Sequence, residues 1–396
     1  MHWLMRLLLC SLMLMPIGSV RAQSEEPVTK VKLVYQFGSS IHIDAHVSNS
    51  SEYASLLLIL QPDGQSSRQI KITPAADGSV IVDYDLTLDP LRPFARVYYW
   101  FELTRLDGTS ITSPSYWFDY LDDRYQWISS ETDLFHIFWV EGADTFGQKV
   151  QEIARDGLKA ATNVLPVTPD FPIRIYIYPD VAALQQALTL TGQPWTAGHA
   201  SADIGVLLVS NGSQSAELIE MERQIPHELM HVLEYKLAGA SYSNIPAWLN
   251  EGLATSVELY PDPDLQRILI ESQTSGSLLT FSSLCDGFPQ DAKTAQLAYA
   301  QSASFVNYLN GRFGSNIFTK LIENAASGQT CESAVNSAAS VSLTDLEEDW
   351  LATTFTESVP LNFGILAVVI SGGVLLVVMA ILLLRKRHTA ERKTHD

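Results

Sequence analysis

The part of the sequence that most clearly could do chemistry is the pentapeptide HELMH at residues 227–231. In an α-helix, side chains four positions apart lie one turn apart on the same face, so His227 and His231 can reach one ion. Two imidazoles at this spacing suit a tetrahedral zinc ion. Glu228, beside the first histidine, can contact a zinc-bound water rather than the metal. The segment therefore predicts a zinc site that activates water.

A catalytic zinc site needs a third protein ligand, because such sites use three ligands and leave the fourth position open. Downstream, Pro246 suits the first turn of a second helix, and Glu251 follows on that helix. A reversal of the chain between the two helices, through Gly239 and Ser243, would bring this carboxylate to the metal. We therefore predict that Glu251 completes the ligand set; the alternative is a plain surface carboxylate.

Together, these two segments resemble a known group of enzymes. HELMH at residues 227–231, followed by WLNEGLA at residues 248–254, is similar to the gluzincins, which are zinc peptidases with two histidines and a glutamate on the metal. More narrowly, residues 130–355 resemble the bacterial peptidase MA-like proteins. The resemblance implies that the substrate is a peptide or a protein.

The resemblance also implies roles for single residues. It makes His227, His231 and Glu251 the ligands of one Zn²⁺ per chain, and it makes Glu228 the catalytic base. Gluzincins often stabilise the oxyanion of the tetrahedral intermediate with a tyrosine or histidine beyond the glutamate ligand. Tyr299 is the candidate for this role; the alternative is a tyrosine that only packs in its own helix.

Three further features concern the surroundings of the site. His199, in a predicted loop, is a weaker candidate for the oxyanion donor. Related enzymes hold an extended peptide along a sheet edge, and the strand predicted at residues 205–209 is the expected place. Trp248 is predicted to lie in the core rather than in the cleft.

Pro226 immediately precedes the first histidine. Inside a helix, proline removes a backbone hydrogen bond and clashes with the preceding turn. We therefore predict that the zinc helix begins at Pro226; the alternative is a kink there after a separate segment at residues 217–223. A start there would put His227 in the first turn, where the helix dipole disfavours protonation and so favours metal binding.

Both ends of the chain indicate targeting to a membrane. Residues 1–22 predict a secretory signal, with Arg6 before an apolar stretch and a small-residue cleavage site. Residues 363–384 carry no charge and, at 1.5 Å per residue, are about 33 Å long as a helix, enough to cross a bilayer. The basic tail at residues 385–396 predicts a cytoplasmic C-terminus. The intervening residues are then extracytoplasmic, in a single-pass protein of the cell membrane.

Composition excludes some classes of protein. With 25 Lys and Arg against 44 Asp and Glu, the net charge of −19 excludes nucleic acid as the main partner. A hydrophobic share of 46% with 17% charged residues excludes a disordered chain. Cys285 and Cys331 lie beyond the signal, so an oxidising compartment permits one disulfide; the alternative is two buried thiols.

The sequence predicts a multidomain fold. Strict alternation at residues 41–47 and about seven short apolar runs predict an all-β sandwich of the immunoglobulin or fibronectin type. A mixed pattern from residue 130 predicts an α+β zincin-type domain, mainly helical from residue 217. The predicted division is a signal (1–22), a β-sandwich (23–125), a metallopeptidase domain (130–358), a transmembrane helix (363–384) and a cytoplasmic tail (385–396).

Three interpretations follow from these patterns. The leading one is a membrane-anchored zinc metallopeptidase that acts outside the cytoplasm. The second is a catalytically quiet zinc-binding surface module whose β-sandwich serves adhesion or partner binding. The third is a carbohydrate- or protein-binding surface protein with a structural zinc. Glu228 argues against the last two, because structural zinc sites are closed and need no adjacent carboxylate.

Overall fold

A computed structural model describes residues 26–190, 198–211 and 217–355. These residues divide into two compact units. The first holds the chain up to Gly239 together with Val257–Pro261, and the second holds Ala240–Ser256 and the chain from Asp262 onwards.

The N-terminal part of the first unit consists of two antiparallel sheets. One has the order β1–β2–β5, and the other has the order β4–β3–β6–β7, with β8 also paired to β6. Their inward side chains, such as Ile41, Leu58 and Phe101, share one hydrophobic core. The strands are β1 (Val28–Gln36), β2 (Ser40–Val47), β3 (Tyr53–Pro62), β4 (Arg68–Ile72), β5 (Ser79–Asp85), β6 (Arg96–Arg105), β7 (Ser110–Thr112) and β8 (Tyr116–Asp119).

A third sheet follows in the same unit, in the order β12–β13–β11–β10–β9. Its three inner strands are parallel and its two edge strands are antiparallel to their neighbours. The strands are β9 (Ile128–Glu131), β10 (Phe135–Trp139), β11 (Ile173–Tyr178), β12 (Gly198–Ser201) and β13 (Val206–Ser210); the helices of this unit are α1 (Asp144–Val164), α2 (Val181–Leu190) and α3 (Glu217–Ala238). The mixture of strands and helices predicted from residue 130 is present, but His199, predicted in a loop, lies on β12.

The third sheet is buried on both faces. Ile175 and Ile177 pack with α1 and α3, whereas Tyr176 and Tyr178 join the core of the N-terminal sheets. The ring centroids of Phe94 and Tyr176 are 3.7 Å apart. The third sheet therefore supports α3 on one side and is itself supported by the N-terminal sheets on the other.

The second unit is helical around a core of large aromatic side chains. Trp248, Phe281, Phe305 and Trp350 are each fully buried. The helices are α4 (Ala247–Ser256), α5 (Pro263–Ser275), α6 (Ala292–Phe313), α7 (Asn316–Ala326), α8 (Cys331–Ala339) and α9 (Leu343–Thr354). The predicted disulfide is confirmed, since Cys285 is bonded to Cys331.

The predicted signal and transmembrane helix lie outside the described residues. Among the residues that the structure does describe, none of the helices is both long and apolar enough to span a membrane. The domain boundaries drawn from the sequence stay predictions.

Candidate active site

The two histidines of the HELMH segment lie on α3 and face the same way. Their ring centroids are 5.1 Å apart, with an interplanar angle of 80°. His231 is buried and His227 is half-buried. The helical spacing therefore does bring both imidazoles together, as the sequence predicts.

The predicted helix start at Pro226 is wrong. α3 begins at Glu217 and continues through Pro226 to Ala238. Proline has no N–H to donate to the carbonyl four residues earlier, that of Glu222. That carbonyl instead accepts a 2.9 Å hydrogen bond from the N–H of Leu259. His227 is consequently not in the first turn, and the dipole argument for it fails.

A close contact with α1 also accommodates the proline. A Cβ atom on Gly157 would lie 2.9 Å from Cγ of Pro226, which is too close without a shift of the neighbours. Glycine at this position therefore allows the ring of Pro226 to pack against the backbone of α1.

Each histidine is oriented by a buried carboxylate. Nδ1 of His227 is 3.1 Å from Oε1 of Glu258, and Nδ1 of His231 is 3.0 Å from Oε2 of Glu234. The side chains of Glu258 and Glu234 are 7% and 0% exposed. A carboxylate on Nδ1 fixes the proton there and leaves the lone pair of Nε2 for a metal.

Sequence reasoning missed both carboxylates, for different reasons. Glu234 follows His231 by three residues on one helix, so its spacing could have indicated the contact. Glu258 is 31 residues from His227, in a segment that returns to α3, so no local spacing indicates the contact. Arg223 lies beside it, with Nε 4.0 Å from Oε2 of Glu258 and Nη1 3.2 Å from Glu220.

The predicted second helix is also present, in the second unit. The carbonyl of Pro246 accepts a 3.0 Å hydrogen bond from the N–H of Asn250, which starts the first turn of α4. Trp248 is fully buried against Phe281 and Phe305, so its assignment to the core is confirmed. Glu251 is half-buried on this helix.

His227, His231 and Glu251 form a group that could hold a metal ion. One ligand atom from each lies within 4.8 Å of the other two. Two imidazole nitrogens and one carboxylate oxygen fit a divalent metal such as zinc. Glu228, next to His227 on the helix, is buried with 7% of its surface exposed.

A cavity of about 510 Å³ borders Glu251 within the second unit. Its walls include the side of α4 that carries Asn250, the preceding segment with Tyr242, and both cysteines of the disulfide. A cavity of this size is within the range of small-ligand sites.

The position predicted for substrate addition is wrong. β13, which corresponds to residues 205–209, is an interior strand paired with β11 on one side and β12 on the other. Its backbone hydrogen bonds are used, so it cannot accept an added strand. The edge strand on this side of the sheet is β12.

The two candidate oxyanion donors lie on different elements. His199 is on β12, paired with Leu208; its burial, together with the charges of Arg92 and His231, lowers its pKa to about 4. Its imidazole is therefore neutral at pH 7. Tyr299 is half-buried on α6, and its ring centroid is 4.9 Å from that of Phe288.

A family model described as Peptidase MA superfamily matches residues 153–356, more than half of the chain. The chain belongs to the peptidase MA superfamily. The gluzincin-like resemblance drawn from the two motifs is thereby confirmed, and membership assigns the chain to the peptidases. A comparison with curated proteins finds no match.

Solved structures resemble this peptidase MA chain only weakly. An aminopeptidase N family protein from Idiomarina loihiensis is 8% identical, with 80% of this chain and 74% of that chain covered and a TM-score of 0.40. A family 56 carbohydrate-binding module, described as a β-1,3-glucan binding domain, is 9% identical over 23% of this chain and 96% of that one, with a TM-score of 0.17. The Br derivative of BhCBM56 is 14% identical over 24% and 92%, with a TM-score of 0.19. These values are too low to carry an argument about activity or ligands.

Proposed function

We propose that this peptidase is a zinc metallopeptidase in which His227, His231 and Glu251 hold one Zn²⁺ ion. The proposal is carried by the grouping of these three ligand atoms within 4.8 Å of one another. The buried carboxylates on Nδ1 of both histidines support it, because they leave Nε2 of each ring for the metal.

Bound zinc would supply a Lewis acid and lower the pKa of a coordinated water to about 7. Glu228, adjacent to the first ligand, accepts the proton of the attacking water and returns it to the leaving amine. Tyr299 donates a hydrogen bond to the oxyanion that develops on the scissile carbonyl. The cavity beside Glu251 is the place for a substrate side chain.

We further propose that the peptidase acts outside the cytoplasm, held in the cell membrane by residues 363–384. The uncharged segment and the basic residues after it support this arrangement. The disulfide between Cys285 and Cys331 supports an oxidising compartment. In this proposal residues 23–125 form an immunoglobulin-like sandwich outside the membrane, and residues 385–396 form the cytoplasmic tail.

Glu228→Gln is the decisive variant. The purified full-length chain in detergent should contain about one zinc by elemental analysis and cleave a peptide library scored by mass spectrometry. Glu228→Gln should keep the zinc and lose about 100-fold or more of the cleavage rate, because the amide cannot accept a proton. Glu222→Gln, on the same helix, is the matched control and should cleave normally.

Two outcomes would contradict the proposal. Cleavage by Glu228→Gln at the wild-type rate would remove Glu228 from the mechanism. Wild-type protein that contains no zinc, or that binds zinc and cleaves nothing, would instead favour the catalytically quiet module.

A further inference from the structure

The outward face of the five-stranded N-terminal sheet carries three aromatic side chains. Val97, Tyr99 and Phe101 of β6 point into the core, so Tyr98 and Trp100 point outward on the same strand. They are about 7 Å apart along the strand. Trp117 of β8 lies directly opposite Tyr98, where paired Cβ atoms are about 5 Å apart. These three side chains, here called the aromatic face, therefore lie at neighbouring positions on the same side of the sheet.

The aromatic face is accessible. Trp117 is 56% exposed and Tyr98 is 36% exposed, although both are large and apolar. Neighbouring exposed aromatic side chains of this kind mark interaction sites rather than random surface. The hydrophobic core of the sheet does not need them, since its inward residues are already buried.

Arg96 holds the Trp117 ring in place. Its guanidinium carbon is 4.0 Å from the centroid of the Trp117 ring. The guanidinium is fixed in turn by Asp119, with Nε 2.8 Å from Oδ1 and Nη2 3.1 Å from Oδ2. One face of the indole is thus covered by a cation, while Trp117 as a whole is still 56% exposed. A ring fixed in this way loses little freedom when a ligand stacks on it.

Polar groups surround the rings, and their charges cancel. Nε1 of Trp100 donates a 3.1 Å hydrogen bond to Glu102. Leu57 of β3 is paired with Glu102 of β6 on one side and with Lys71 of β4 on the other. Lys71 and Glu102, like Arg96 and Asp119, contribute one charge of each sign. These four side chains together carry no net charge, and they offer both hydrogen-bond donors and acceptors.

We propose that the aromatic face binds a neutral carbohydrate chain built of pyranose units. The C–H face of a pyranose ring is apolar and stacks on an aromatic ring, while its hydroxyls need donors and acceptors at the ring's edge. The exposed rings of Trp117 and Tyr98, with the charged groups beside them, offer both. A zero net charge complements an uncharged ligand.

The same features disfavour other classes of partner. An anionic membrane surface would be repelled by Asp119 and Glu102 unless cations exceeded them. A protein partner needs about 800 Å² on each side with an apolar centre, whereas charged groups here adjoin the rings. Carbohydrate binding at this face is independent of the proposed peptidase activity, because the aromatic face contains none of the metal-site residues.

Affinity electrophoresis tests the proposal. The full-length chain is run in native gels that contain soluble neutral glucans, mannans, galactans or xylans, with phosphatidylcholine vesicles and polygalacturonate as further probes. At least one neutral polysaccharide should retard the wild-type chain. Trp117→Ala should weaken this retardation about tenfold in apparent Kd, because stacking on the indole is lost.

The control is Ile81→Ala, which removes an exposed apolar side chain (66% exposed) from β5, a strand of the other sheet. It should leave the retardation unchanged, and both variants should unfold at the wild-type temperature because both sites are exposed. The proposal is overturned if no neutral polysaccharide retards the wild-type chain. Equal retardation of wild type and Trp117→Ala, or binding only to vesicles or polygalacturonate, overturns it as well.

Discussion

The N–H of Leu259 donates a 2.9 Å hydrogen bond to the carbonyl of Glu222, the acceptor that Pro226 leaves without its helical partner. This bond fixes the segment Val257–Pro261 against α3. Glu258, next to Leu259, then reaches Nδ1 of His227. A proline in the middle of the helix thus creates the attachment point for the carboxylate that orients the first histidine.

Pro226→Ala should lower the zinc affinity of the chain without lowering its stability. Alanine restores an N–H that competes with Leu259 for the carbonyl of Glu222, so the segment that carries Glu258 loosens. Zinc affinity should fall about tenfold, the range for groups that orient a metal-bound histidine. Helix propensity improves by up to about 3 kcal/mol, so the free energy of unfolding of the metal-free chain should rise or stay constant.

Zinc competition with a chelator and urea unfolding measure the two quantities. Glu258→Gln is the reference variant, because it removes the carboxylate directly and should lower zinc affinity by at least as much. If Pro226→Ala binds zinc as tightly as wild type while Glu258→Gln does not, the carbonyl of Glu222 has no part in positioning Glu258.

The zinc ligands proposed from the sequence come from local spacing and one resemblance. His227 and His231 needed only the helical period, and the glutamate helix was marked by Pro246 and its motif. The start of α3 was predicted wrongly, because the cost of Pro226 depends on where the carbonyl of Glu222 finds another donor. That donor, Leu259, is remote in sequence, and nothing in the local pattern indicates it.

The order of the strands within the sheets is the second feature that the sequence does not predict. Alternation and apolar runs located most of the strands, but a strand's own residues do not say which neighbours pair with it. Residues 205–209 were therefore expected at a sheet edge, whereas β13 is paired on both sides. The shared core of the third sheet and the N-terminal sheets was missed for the same reason. From the sequence alone, Tyr176 and Tyr178 could be buried on either face of the third sheet.

The disulfide should stabilise the second unit and the helix that carries Glu251. Cys285 and Cys331 are 46 residues apart, so the chain-entropy model gives about 4 kcal/mol. The carbonyl of Cys285 accepts a 3.0 Å hydrogen bond from the N–H of Ala247, and Nε1 of Trp248 lies 3.4 Å from Sγ of Cys331. Both contacts hold the first turn of α4.

The double variant Cys285→Ala/Cys331→Ala should therefore lose stability and zinc affinity together. Urea unfolding should show a loss of about 2–4 kcal/mol. Reduction of the wild-type chain with dithiothreitol is the matched comparison and should give a similar change. Unchanged zinc affinity after a clear loss of stability would show that the disulfide does not position α4.

His199 should make the folded chain sensitive to mild acid. Burial, with the charges of Arg92 and His231, lowers its pKa from 6.5 to about 4. Between these values the unfolded chain binds a proton on this imidazole and the folded chain does not, so stability falls as the pH drops through 6.5 towards 4. The loss amounts to at most about 3 kcal/mol. In His199→Gln, measured without metal, unfolding free energy should depend less on pH over this range.

His42→Gln provides a control of opposite sign. His42 lies on the exposed face of β2, and its hydrogen bond to Asp83 raises its pKa. Protonation therefore favours the folded state at this position, and the variant should lose stability below pH 6.5 relative to wild type. Parallel curves for wild type and His199→Gln would mean that His199 is protonated in the folded chain as readily as in the unfolded one.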